Sequence, residues 1–398
     1  MSREFLTHFT FDNNKCICEI EKIADNRSNS LIENLAIKKV DSKTIPMAYF
    51  YGEGLKISNL NNKAKNNILG EFLGIKKNDL HSYKSFFEKY GFLFHLTNTN
   101  FNRVSIDKIE DLKNNLLAFV FLLNNQLDSY LYYKDKNVQE LLDAVFYLLF
   151  KNESKLEIDA KEIFTIRKNK IIEIVENSSF QNETSYNKKQ KIVNGQIIEY
   201  FEIKDSLLSS GVNEIDVEEF NHLLNGNFPQ WFINLCRVYK NKKQLIKDSK
   251  YHIVIDFLFH FTSEYCMFSK SDISLYGIFP DELYTEFKKD SKLLKALIKI
   301  SKLILEDEFK SNLSNVTPTF NVYDMMPDWQ LPSLYSALYF SLFYMNNKEE
   351  GLRQCANVSC GQYFQVSKTN SIKKYCSILC TNSVSQRKYQ KKQAQKKK

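Results

Sequence analysis

The chain has 398 residues, 43% hydrophobic and 14% aromatic, with only 11 Gly and 6 Pro, which excludes a low-complexity or collagen-like protein. That length implies a sizeable core and two or more structural units. The net charge of +8 is placed unevenly, because eleven Lys or Arg and no acidic residue fall in residues 351–398. Taking these away from the chain's 55 basic and 47 acidic residues leaves 44 against 47, so the positive field sits at one end. Such asymmetry points to a polyanionic partner. Nucleic acid fits better than an anionic membrane surface, since no apolar helix face accompanies the lysines.

Arg3, Glu4 and His8 interrupt the apolar core that a secretory signal needs, and the longest apolar run, Leu116 to Leu123, is too short for a bilayer. The expectation is a cytoplasmic protein with no membrane association. Reduced thiols are the rule there, so the eight cysteines read as free thiols or metal ligands rather than a disulfide framework.

Alternation predicts strands at Phe5–Phe11, Cys16–Ile23 and Met47–Tyr51, with turn-like breaks at Asp12-Asn13-Asn14 and Asp25-Asn26. Asp79 is placed to cap a helix ending at Gly91, and apolar residues at helical spacing predict helices over Asp107–Leu131 and Val138–Phe150. Strand character returns over 171–203, where Asn194-Gly195 signals a tight hairpin. The polar stretch 181–191 reads as a linker. From Asp216 to Met345 the pattern is helical, strongest at Pro229–Lys247, Tyr251–Phe268 and Ser291–Leu305, and no internal repeat interrupts it.

The last long helix, Leu331–Met345, places Leu331, Leu334, Leu338, Leu342 and Met345 on one stripe and Tyr335, Tyr339 and Phe343 on the next. Asp328 is a candidate cap and Pro332 suits the first turn. So wide an apolar face reads as a buried core helix. The expected fold class is α+β, mainly α-helical, with a small N-terminal β-sheet and a C-terminal four-cysteine zinc finger. The expected division is an α+β domain over 1–205, a helical domain over 206–350, the finger over 351–383 and a basic tail over 384–398.

Cys355 and Cys360 form a C-x4-C pair, Cys376 and Cys380 a C-x3-C pair, and fifteen residues separate the pairs. Each pair offers two ligands from one tight turn, which suits a tetrahedral Zn2+ ion; four unligated thiols or an iron-sulfur cluster are the alternatives. With four sulfur ligands, one zinc per chain would have no open position and be structural. Lys368, Lys373 and Lys374 offset the negative charge of a four-thiolate site. Burial of Phe364 on the Leu331–Met345 helix is the expected docking mode for the finger.

The run from Arg353 to Lys392 resembles the CGNR-type zinc finger of bacteria. The likeness rests on the preceding helix SALYFSLFYM, Arg353 two residues before the first cysteine, Phe364, Ser367-Lys368, Lys374-Tyr375-Cys376-Ser377, and Asn382 after the fourth cysteine. It covers roughly residues 330–392. Two departures mark a divergent finger: the signature stands here as Cys380-Thr381-Asn382-Ser383, without its arginine, and the second cysteine pair is one residue closer. The resemblance implies nucleic-acid binding, DNA rather than RNA, in a bacterial transcriptional regulator whose N-terminal region senses a ligand or binds a partner.

The segment after Cys380 agrees, with Arg387 and Lys391, and Lys388, Lys392 and Lys396, spaced four apart on an expected helix. The candidate nucleic-acid contacts are Arg353, Lys368, Lys373, Lys374, Asn382, Arg387, Lys388, Lys391 and Lys392. Lysines act as point charges on phosphate, so base-edge pairing falls to Arg353, Arg387, Asn382, Gln386 and Gln390. The alternative is a solvated, disordered end. A dimer presenting two fingers on one side would suit a regulator.

Catalytic patterns are weak. Pro280-Asp281 followed by Glu286-Phe287-Lys288 has too short a gap for a nuclease carboxylate site, and Arg3 with His8 lies on an apparent strand. His252 and His260 share one side of an apolar helix, as satisfied core histidines do, and Cys16, Cys18, Cys236 and Cys266 read as core thiols. No catalytic residue is assigned. An effector enzyme of nuclease type targeted by the finger, and an interaction scaffold with a zinc cap, stand as the alternatives to a regulator.

Overall fold

In a computed structural model the described residues are 7–24, 31–50, 52–59, 62–63, 67–96, 99–125, 127–132, 137–150, 154–158, 161–177, 189–204, 212–216, 230–265, 291–322, 325–345, 349–367 and 372–396. Contacts divide the chain into two units that are not consecutive segments. Unit 1 takes Met1–Asn125, Glu153–Ile166 and Asp307–Lys398, and unit 2 takes Gln126–Asn152 and Arg167–Glu306. The boundary expected at 205 therefore lies inside unit 2, and the finger belongs with the first 125 residues. Strand pairing is the physical reason. Strand Met326–Leu331 runs parallel to Thr7–Ala24, with Phe9 opposite Trp329 and Phe11 opposite Leu331.

Unit 1 is built on a seven-stranded sheet in the order Thr317–Asn321, Met326–Leu331, Thr7–Ala24, Leu31–Phe50, Gly54–Asn59 and Asn62–Lys63, with Asn102–Val104 alongside Leu31–Phe50. The expected N-terminal sheet is present but larger, since its two long strands run 18 and 20 residues and distant segments complete it. Asp12, Asn13 and Asn14 do not turn the chain; they pair with Thr44, Lys43 and Ser42, and the irregularity is a register shift between Lys15 and Cys16. A bulge lets turn-favouring residues sit in a strand by bending it locally. Asp25-Asn26 lies outside the described residues.

Beyond the bulge, Cys16 and Cys18 are buried and Ile17 between them is exposed, as alternation requires. Helix Leu80–Tyr90 covers that face: Cys16 Sγ donates to Phe87 O (3.0 Å) and Cys18 N to Glu88 Oε1 (3.2 Å). Asp79 caps this helix by accepting from Ser82 N (3.1 Å), and Gly91 ends it at φ 85°. Both signals were legible in the sequence.

Helix Leu334–Tyr344 is buried continuously from Leu334 to Leu342, while Phe343 points outward. Tyr335 packs on Phe94 and Phe164, and Tyr339 on Phe119, with ring centroids 5.2–5.6 Å apart. Its start differs from the expectation. Leu331 still belongs to a strand, so Ser333 takes the cap and accepts from Ser336 N (3.0 Å), while Asp328 is buried in that strand.

Unit 2 is mainly helical, with Val138–Leu149, Gln230–Lys240 and His252–Tyr265 carrying its apolar residues inward. Phe146 packs on Phe257 and Phe261, and Tyr239 stacks on Phe259. Lys242 and Asp256 form a buried ion pair. His252 Nε2 lies 2.9 Å from Ile246 O, a partnered histidine as expected; the side chain of His260 lies outside the described residues, as do Cys266 and the 280–288 segment. The strand character expected from 171 begins later, because Lys170–Asn177 is a helix that buries Ile171, Ile172 and Val175. Asn194 (φ 52°) and Gly195 (φ 82°) make the expected hairpin turn between Lys189–Val193 and Gln196–Lys204. Of the expected linker, 181–191, residues 181–188 lie outside the described residues and 189–191 begin the strand Lys189–Val193. Among the described residues no helix is long and apolar enough to cross a membrane.

The finger's hairpin, Glu350–Gln354 paired with Tyr363–Ser367, is anchored elsewhere than on the Leu334–Tyr344 helix. Asn124, the last residue of helix Ile106–Asn124, donates to Leu352 O (2.8 Å) and accepts from Leu352 N (2.9 Å), so its amide stands in for a neighbouring strand. The buried Glu350 carboxylate accepts from Gly52 N (2.6 Å) and from Tyr49 Oη (3.3 Å), which in turn accepts from Gln365 Nε2 (2.8 Å). Burying a carboxylate demands such partners.

Helix Ile68–Leu73 lies backbone to backbone on the second finger strand. A Cβ on Gly70 would stand 1.9 Å from Tyr363 O, and one on Gly74 2.7 Å from Gln362 Cα. Alanine ordinarily stabilises a helix by about 1 kcal/mol over glycine. At Gly70 overpacking reverses the sign, so Gly70→Ala is expected to cost about 2 kcal/mol and lower the midpoint of thermal unfolding. An unchanged or raised midpoint would refute this close approach.

Candidate metal centre

Four local devices bring the cysteines together. Strand Glu350–Gln354 ends at Cys355, whose N–H donates to Gln362 O (2.8 Å). The chain then turns tightly: Cys360 N donates to Asn357 O (2.8 Å), and Gly361 adopts φ 64°, the left-handed region that favours glycine. Ala356 N donates to Lys374 O (2.9 Å), which brings Cys376 alongside Cys355, and Cys376 N points at Cys355 Sγ (3.5 Å). Finally, Ser377 caps helix Ile378–Lys396 by accepting from Cys380 N (3.3 Å), which sets Cys380 in its first turn.

The four Sγ atoms lie within 4.8 Å of one another, as the paired spacing implies. Cys360 and Cys376 are 3.6 Å apart at sulfur, and Cys376 and Cys380 3.5 Å. These separations are far beyond a disulfide bond and close to the roughly 3.8 Å edge of a tetrahedron with 2.3 Å metal-sulfur bonds. An all-sulfur, near-tetrahedral donor set suits a thiophilic ion. Around it Cys355, Phe364 and Val366 form a small buried cluster, with Cys360, Tyr375, Cys376 and Cys380 packed against them. Phe364 is buried among the cysteines, not on the Leu334–Tyr344 helix.

Without an ion, burial pushes the thiols of Cys360 and Cys376 up, the latter further by its neighbouring thiols. Asn357, hydrogen-bonded to Cys380, and then Ser377 draw Cys380 down to about 7. A helix N-terminus also favours a thiolate there.

Asn357 and Ser359 are contributors that the cysteine spacing did not reveal. Buried Asn357 Oδ1 accepts from Ser359 N (3.3 Å) and Ser359 Oγ (2.9 Å) and also from Arg387 Nη2, which donates to Ser359 Oγ as well (3.3 Å). The Asn-x-Ser-Cys-Gly order was the available signal, since asparagine so placed holds its own turn. Arg387 therefore ties the helix to the Asn357–Cys360 turn, and Arg353 Nη1 donates to Lys373 O (2.9 Å), bracing the irregular segment that leads into Cys376. Neither guanidinium is presented freely. Lys373 lies 5.4 Å from the Phe364 ring centroid with its side chain exposed, and Lys374, Asn382, Lys388, Lys391 and Lys392 are exposed too, while Lys368 lies outside the described residues.

Compared with protein-family models, with curated proteins and with solved structures, the chain matches none.

Loading an ion at neutral pH must expel the protons that burial holds on Cys360 and Cys376. Protons thus compete with metal, and affinity falls as pH is lowered. With two or more protons released, the loss is expected to be about hundredfold per pH unit below 7. A chelator-competition titration from pH 7.5 to 5.5 measures it, and a flat profile would refute the assignment. Elemental analysis should give one metal per chain, lost in Cys376→Ser.

Proposed function

We propose that this chain is a nucleic-acid-binding protein, a bacterial DNA-binding transcriptional regulator whose C-terminal finger holds one structural Zn2+ through Cys355, Cys360, Cys376 and Cys380. The single observation that carries this reading is the helix that leaves the cysteine cluster. It runs 19 residues from Ile378 to Lys396, every residue from Ser385 to Gln395 is exposed, and no acidic residue lies anywhere in 351–398. Cations with nothing of opposite sign near them in sequence attract phosphate at long range.

Zinc is the ion of choice because four thiolates fill its tetrahedron and leave no open position for chemistry. Its role is to fold the knuckle and aim the helix. The likeness of residues 330–392 to CGNR-type fingers supports the same reading. The remainder of the chain supplies the sensing or partner-binding part of such a regulator.

A membrane surface fits less well. From Ser385 to Lys396 only Tyr389 and Ala394 are apolar, so the lysine-bearing part of the helix has no apolar face to insert.

Salt tests the electrostatic part directly. If about four to six cations contact phosphates, the log-log slope of affinity against salt on duplex DNA is expected to be about −4 to −5. Deleting 388–398 spares Arg387, and with it the metal loop, and is expected to remove most of that slope. Equal titrations for full-length and truncated protein at two salt concentrations, or no binding by either, would overturn the reading.

A further inference from the structure

The helix Ile378–Lys396 has two unlike sides. Towards the cysteines it presents Cys380, Ser383 and Arg387, spaced three and four apart; Ser383 and Val384 are half-buried, and Arg387 is spent on Asn357 and Ser359. On the opposite side Ile378, Asn382, Ser385, Tyr389 and Lys392 follow one another at intervals of four, three, four and three, which is one stripe of an α-helix. All five are exposed, Ile378 by 79% and Tyr389 by 65%. Among the described residues no side-chain hydrogen bond or ion pair within the chain engages Asn382, Ser385 or Gln386, the last lying at the edge of the stripe.

We infer that this outward stripe is a reading face, and that its ligand is the major groove of double-stranded DNA; the inference rests on the proposed nucleic-acid function. Three features select that ligand. At about 1.5 Å per residue the helix is about 28 Å long and uncovered over its C-terminal half, and a helix of that form fits the roughly 12 Å wide major groove of B-DNA. The deep, narrow major groove of A-form RNA does not admit it. Single strands are held on rows of aromatic rings, whereas this stripe offers Tyr389 alone among polar groups.

The chemistry is graded along the stripe. Near the metal, Asn382 carries the amide that pairs in two places with adenine, and Ile378 offers a methyl-rich surface for thymine. Ser385 and Gln386 follow with further donors and acceptors. Towards the free end Lys388, Lys391 and Lys392 meet the phosphates that line the groove and set the register without reading bases. Arg353 and Arg387, the best base-readers on residue type, are withdrawn from that role because they hold the finger together.

Selection from a random-sequence duplex pool by the metal-loaded full-length protein, followed by titration of the enriched and a scrambled duplex, tests this. Wild type is expected to prefer the enriched duplex, Asn382→Ala to shrink that preference about tenfold, and Lys392→Ala to weaken both duplexes alike. No enriched sequence, a preference untouched by Asn382→Ala, or tighter binding to single strands of equal length would overturn the reading face while leaving nucleic-acid binding intact. Failure to bind any duplex or single strand at low salt would instead overturn the proposed function itself.

Discussion

The half of the finger beyond its hairpin turns on four thiols placed to hold an ion, because it has little apolar core of its own. The finger's buried apolar side chains among the described residues are Leu352, Phe364 and Val366, with Cys355 beside the last two, and so few are a small fraction of what an independent unit needs. Metal binding in such a unit is folding free energy. The helix beyond Cys376 takes its position from the cysteine cluster: Ser377 caps it where Cys376 brings the chain, and Arg387 reaches Asn357 across the closed Cys360 turn.

The hairpin side of the finger is held by a different kind of constraint. Gly70 and Gly74 let a helix backbone touch a strand backbone, Asn124 supplies a strand-like pair of hydrogen bonds to Leu352, and Glu350 sits in a cage of donors from Tyr49 and Gly52. These contacts are short and directional, so they fix orientation where a greasy patch would only fix proximity. A rearrangement of Tyr49 or of helix Ile68–Leu73 would therefore be felt at the hairpin. The cysteine cluster is consequently part of unit 1, not a bead on a tether.

Local signals were the legible ones. Asp79 with Gly91, and Asn194-Gly195, each satisfy a requirement that a handful of neighbouring residues settle, and the cysteine pairs state a tetrahedral site in their spacing. Illegibility began where partners are distant. Asp12-Asn13-Asn14 favours a turn until a long partner strand with Ser42, Lys43 and Thr44 is available, and residues 171–177 look like a strand until their apolar side chains are needed on one side of a helix. Asp328 loses the capping role because Trp329, Gln330 and Leu331 pair with residues 9–11, which no window of sequence reveals. The same holds at the site, where Asn124 and Glu350 anchor the hairpin to residues far away in the chain.

Arginine is where residue type says least about role, and the reason is electrostatic. Guanidinium groups are the preferred readers of guanine and phosphate, but they are also the preferred staples for backbone carbonyls and amide oxygens, since one planar fork satisfies two acceptors. In a finger with so little apolar core the staple has the stronger claim: releasing Arg387 would leave Asn357 without that donor beside Cys380. Lysine, with a flexible stem and a strongly hydrated head, is poor at such bracing and is left to the outer helix. There Lys388 and Lys392 repel each other across one turn, and an exposed helix so charged is weakly stable by itself. Salt relieves that repulsion in the free chain, whereas on a polyanion the same salt removes the attraction. On the proposed function, a phosphate backbone would be both the partner these lysines attract and the counter-charge that lets their helix persist at low ionic strength.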